Sequence, residues 1–114
     1  MNIINTNIQN LADSKKTMYK LTRAKGLNIK DLENGTRLPV DVWALYTDVN
    51  TKGNEQTVLT IISGEEKYHT ISPTFQRDFA DIVDLMDGED FAIIIQKSNS
   101  KNGREFVTCE LDCD

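Results

Sequence analysis

The stretch ISPTFQRDFADIVDLMDG, residues 71–88, decides how the rest of the chain reads, because its apolar residues repeat at helical spacing. Ser72-Pro73 starts a helix by its chemistry: a serine oxygen accepts from free N-terminal N–H groups, and proline suits the first helical position. Phe75, Phe79, Ile82, Val83 and Met86 follow at offsets of 4, 7, 8 and 11, forming one apolar stripe. Gly88 supplies the stop.

Outward from this helix the chain alternates instead. Beginning at Arg37, Leu38, Val40, Val42, Ala44 and Tyr46 fall on one face and Arg37, Asp41, Trp43 and Thr47 on the other, which predicts one long half-buried strand. A polar loop at residues 48–55 leads into a β-branched strand at 56–63, and a turn at 64–66 leads into a third strand at 67–71. Beyond the helix, residues 90–97 and 104–111 read as two strands joined across Asn102-Gly103. The order of three strands, helix, two strands predicts a mostly β protein. Its expected form is a small five-stranded oligonucleotide/oligosaccharide-binding (OB-like) barrel, β-β-β-α-β-β, with an N-terminal extension.

The extension carries weaker signals. Residues 1–14 are Asn-rich without a clear period and are expected as a flexible arm with a helical turn near residues 8–12. The domain proper is expected over 15–114. Residues 17–23 suit a short strand, and 28–36 a second extended piece ending at Asn34-Gly35.

A chain of 114 residues can bury one modest core, so a single domain is expected. No apolar run approaches the roughly 18 residues of a membrane span, and residues 1–11 do not read as a secretion signal. Cys109 and Cys113 would lie about 13 Å apart along a strand, too far for a disulfide unless the chain turns. A reducing cytoplasm is the expected setting, with no membrane partner.

The net charge of −5 opposes a nucleic-acid partner, since neutralising phosphate is the main source of such affinity. Its distribution matters, however. Residues 1–30 carry Lys15, Lys16, Lys20, Arg23, Lys25 and Lys30 against Asp13 alone. Single-strand binding needs π-faces for bases and cations for the phosphate track. Tyr46, Lys52, Lys67, Tyr68 and His69 would converge on one side of a barrel, with Lys97, Lys101 and Arg104 as a second wall. Tyr19, Lys20 and Arg23, followed by Lys25, mix an aromatic with cations, although lysines that protect an edge strand explain the same pattern. For Tyr68, base stacking and packing at the core rim both remain open. Tyr46 shares the presumed interior face, and Trp43 is expected to pack.

Catalysis finds little support. His69 has no acid placed beside it by sequence, and there is no Gly-rich phosphate loop, nucleophile elbow or metal-ligand spacing, so neither an enzyme nor a cofactor or metal is expected. Cys109 alternates with Val107 and Leu111 as a small core residue. Asp78, Asp81, Asp84, Asp87, Glu89 and Asp90 lack the register of a calcium loop and read as a solvated face that would repel phosphate.

Residues 32–111 resemble the single-stranded DNA-binding proteins of protein-primed Bacillus phages and related phage replication proteins. The likeness runs in order through Gly35-Thr36, the strand ending at Tyr46, Thr57-Val58-Leu59-Thr60-Ile61, Tyr68, Ile71-Ser72, Asp81-Ile82-Val83-Asp84-Leu85 and Ser100-Lys101-Asn102-Gly103. The resemblance implies a monomer or weak homo-oligomer that coats and protects displaced single-stranded DNA during phage replication, with replication proteins as further partners. It also implies that stacking tyrosines fall on Tyr46 and Tyr68. A third family tyrosine has no counterpart, because the loop reads Thr51-Lys52-Gly53-Asn54. The acidic close Glu110-Leu111-Asp112-Cys113-Asp114 bears a thin likeness to the partner-recruiting tips of bacterial single-strand binders. Two other readings stay open at this point: a small phage or prophage protein that binds a host protein through an acidic surface, and a structural subunit of a larger assembly.

Overall fold

The computed structural model describes residues 2–10, 13–23, 25–99 and 101–113. The expected helix, α2, runs Pro73–Met86, with the Ser72 side chain accepting from the Phe75 N–H at 3.3 Å and proline in its first turn. Its end is Asp87, in the left-handed region at φ 47°, followed by Gly88 at φ 89°. Phe75, Phe79 and Ile82 are buried, so the stripe faces the core as its spacing predicts. The Gln76 amide donates to the carbonyls of Thr57, at 2.9 Å, and Thr70, at 3.2 Å, tying the helix to the strands before it.

Among the described residues there are eight strands, two α-helices and a 3-10 helix, more than the five strands and one helix expected. The strands are β1 (Asn2–Thr6), β2 (Leu27–Asn28), β3 (Arg37–Val40), β4 (Val42–Val49), β5 (Glu55–Ser63), β6 (Glu66–Thr70), β7 (Phe91–Asn99) and β8 (Glu105–Leu111). They form two sheets, ordered β1-β4-β5-β6-β2 and β3-β7-β8. The protein is mostly β, but a closed five-stranded barrel is not formed. Closure would need β6 to pair with β8. Instead the free edge of β6 is taken by β2, in parallel, and the 3-10 helix Ile29–Asp31 touches both β6 and β8 between them.

The single long strand expected from Arg37 is broken at Asp41. The Asp41 N–H donates to the Ile62 carbonyl at 3.0 Å, and its carboxylate accepts from the Gly64 N–H at 2.6 Å, which holds the bend. Each residue along a strand faces opposite its neighbour, so one extra residue reverses the facing beyond it. Leu38 and Val40 point into the main core, and past the break Trp43 joins them, while Ala44 and Tyr46 face the other way. Trp43 packs edge-on to Phe79, ring centres 5.6 Å apart, as expected of a packing residue. Among the described residues, thirteen buried ones from both sheets, α2 and the 3-10 helix make this core, Phe75, Ile61, Ile93 and Ile95 fully enclosed.

The N-terminal third departs furthest from its reading. Residues 17–23, expected as a strand, lie mostly in a helix, α1 (Lys15–Thr22). Helical spacing puts Met18 and Leu21 on one side, where they join a second apolar cluster with Ala44, Tyr46, Val58 and Ile62; alternation would have split them. The extended piece expected at 28–36 is mostly turn: the Asn28 side chain accepts from the Lys30 N–H at 3.1 Å and buries Ile29 in the 3-10 helix. Residues 2–6, within the expected arm, pair antiparallel with β4. Asn7 closes the junction, its amide donating to the Asp41 carbonyl and accepting from the Trp43 N–H, both at 3.0 Å. The helical turn expected at residues 8–12 ends on Leu11 and Ala12, outside the described residues. No described helix is long and apolar enough to cross a membrane.

Candidate functional site

The five-stranded sheet has two faces of different fate. Leu59, Ile61 and Tyr68 face the main core, and the alternate residues face outward. Cross-strand pairs set the outer face in rows: Val42 opposite Ile62 opposite Lys67, Ala44 opposite Thr60 opposite His69, and Tyr46 opposite Val58. Helix α1 covers part of this face through Leu21, which is fully buried, and Met18. The remainder forms an open groove of about 570 Å³ lined by Lys25, Gly26, Asn28, Tyr46, Asp48, Gln56, Val58, Lys67, His69 and Ile71. It opens on the side of the sheet away from α2, whose outer residues Asp81 and Asp84 are exposed, as are Asp87, Glu89 and Asp90 just beyond its end.

Burial shapes the chemistry of this groove. Lys67 is 8% exposed, and the loss of water pushes its ammonium pKa down. His69 is likewise held below 6.5, first by burial and then by the neighbouring Lys67 charge, with Asp31 opposing. Tyr46 is 4% exposed; burial raises its pKa, and its hydroxyl lies 3.4 Å from Thr60 Oγ1. The groove therefore offers cationic and hydrogen-bonding groups over an apolar floor. A base can lie against it, but none can stack on the Tyr46 ring without displacing what covers it.

The residues singled out by sequence divide among five places. Tyr46 and Lys67 meet in the groove. Tyr19, 65% exposed, Lys20 and Arg23 lie on or just after α1, and the Arg23 charge reaches Tyr46. Lys52 stands exposed in the β4–β5 turn. Tyr68 is on the opposite face of β6 from Lys67, half-buried against the main core. Lys97, Lys101 and Arg104 belong to the β7–β8 hairpin of the other sheet, where Lys97 lies 3.6 Å from Glu105. Sequence reasoning left Gly26, Asn28 and Gln56 out of the site, whereas His69 shares the groove with Lys67 as their common strand predicts. Among the described residues no three His, Cys, Asp or Glu side chains gather closely enough to hold a metal ion.

The family described as phage single-stranded DNA-binding protein has a model that matches residues 2–112. Comparison with curated proteins and with solved structures returns no match for the chain.

Proposed function

The chain belongs to the phage single-stranded DNA-binding protein family, and from that premise we propose that it coats and protects displaced strands during phage DNA replication without reading their sequence. The match over residues 2–112 carries this reading. The outer-sheet groove supports it with Lys25 and Lys67 as cations and His69 as a hydrogen-bond donor for phosphates, an apolar floor for bases, and a position away from the acidic face of α2. Tyr19, Lys20 and Arg23 extend the cationic surface along α1, and Lys52 along the neighbouring turn; Lys97, Lys101 and Arg104 make secondary contacts, while Tyr68 supports β6 from the core side. Taken as one bent strand, β3 and β4 restore the order three strands, α2, two strands, which supports an OB-like reading of residues 37–111 despite the open edge. In this reading the protein acts as a monomer or weak homo-oligomer beside replication proteins, in the cytoplasm of an infected bacterial cell, and has no catalytic role.

Titration of fluorescently labelled oligo-dT, oligo-dA and a mixed sequence tests the proposal. Binding should be similar for all three and weaken with salt at a log–log slope of roughly −2 to −3, from about three or four phosphates neutralised. Silence at tens of micromolar protein in low salt would refute it.

A further inference from the structure

A second hollow, of about 540 Å³, shares Asn28 and Ile71 with the groove and continues it past the edge of β6. Ile71, 55% exposed, stands at the junction. Lys30 lines the hollow from the 3-10 helix, and Phe106 closes it from β8. Phe106 is an unusual residue for that position. Val107 and Cys109 turn into the core, which leaves Phe106 on the outer side, 39% exposed and in neither apolar cluster. Asp31 and Glu105 also line the hollow, but Glu105 is matched by Lys97 at 3.6 Å.

We infer that the single-stranded DNA path crosses from the first sheet to the second over Asn28 and Ile71, and that Phe106 is a base-stacking residue at its far end. The inference rests on the reading of the chain as a single-strand binder. Its physical basis is continuity: a strand seated along Lys25 meets Lys30 next, an apolar step at Ile71, and then an exposed aromatic face. The same missing barrel closure that leaves β2 and the 3-10 helix between β6 and β8 creates this crossing.

The test uses the full chain and labelled oligo-dT at low salt, comparing wild type with Phe106→Ala, Phe106→Leu and Phe106→Trp. Stacking requires a π-face, so Phe106→Ala and Phe106→Leu should each lose affinity about 5- to 100-fold while Phe106→Trp retains it. Photo-crosslinking of wild type to an iodouracil-substituted oligonucleotide should place an adduct on Phe106. Wild-type binding with Phe106→Ala unchanged and no adduct at Phe106 overturns the inference and leaves the function standing. Retention by Phe106→Leu alongside loss by Phe106→Ala overturns stacking in favour of a plain apolar contact. Failure of wild type to bind removes the function, and this inference with it.

Discussion

Gly26 lies immediately before β2, and a methyl group added there would sit 2.9 Å from the carbonyl oxygen of Lys67, 3.0 Å from its Cγ and 3.2 Å from its Cδ. The two side-chain atoms can swing aside. The carbonyl cannot, because β6 is paired on both edges, with β5 through Ile62 opposite Lys67 and with β2 through Leu27 opposite Tyr68. Two effects then oppose each other in Gly26→Ala. Alanine narrows the unfolded ensemble and stabilises the fold by about 0.4–1 kcal/mol. Overpacking against a fixed backbone atom costs about 1–3 kcal/mol. The clash wins, for a net destabilisation of about 1 kcal/mol. With a urea m-value near 2 kcal/mol/M, the unfolding midpoint should fall by roughly 0.5 M, and the melting temperature by a few degrees. Because Gly26 and Asn28 line the groove, single-strand affinity should fall in parallel. A midpoint equal to or above that of wild type, with affinity unchanged, would refute the close approach of β2 to β6.

Three further outcomes follow from particular side chains. Leu21→Ala removes the fully buried anchor of α1 and should cost about 2–5 kcal/mol in urea unfolding, with amides 15–22 losing hydrogen-exchange protection; a loss below about 1 kcal/mol would argue against docking of the helix. His69 has a folded pKa below its unfolded value near 6.5, so the stability it contributes is present above about pH 6.5 and is lost as pH falls through the folded value. Wild type should therefore lose more stability than His69→Gln between pH 7 and 5, and equal losses would remove the assigned shift. Cys109 is buried, its thiol pushed up to about 12 by burial and by Asp78, whereas Cys113 is exposed. Iodoacetamide at pH 8 should modify the native protein at Cys113 alone and reach Cys109 only in denaturant; mass spectrometry showing equal native labelling would contradict that packing.

What could be read in advance depended on how local the controlling interactions are. Helix α2 carries its own cap, its own first-turn proline and a stripe three turns long, so residues 72–88 specify it without outside help. Strands β5 to β8 sit close to their expected limits for the same reason, each bounded by turn residues. In the site, Lys67 and His69 sharing a face follows from the two-residue period alone; Tyr68, expected on the same side as Lys67, lies on the opposite face because the strand alternates. Gly26 and Asn28 had no such signal. A parallel strand of two residues has no readable period, and it becomes a groove wall only because β6 offers an open edge. Phe106 occupies an ordinary outward strand position in the sequence, and only its tertiary neighbours set it apart.

By itself, then, the sequence determined a mostly β chain with an acidic, capped helix after its hairpin strands, and an order of motifs that resembles the family to which it belongs. Only the tertiary structure decided that residues 15–22 are helical, that the facing reverses at Asp41, and that two sheets stay open where a barrel was expected. Those choices fall on short segments, whose local preferences are worth too little to select a conformation. They take the form that buries Leu21, pairs the backbone around Asp41 with Asn7 and Ile62, and covers the edge of β6, all through partners distant in the chain.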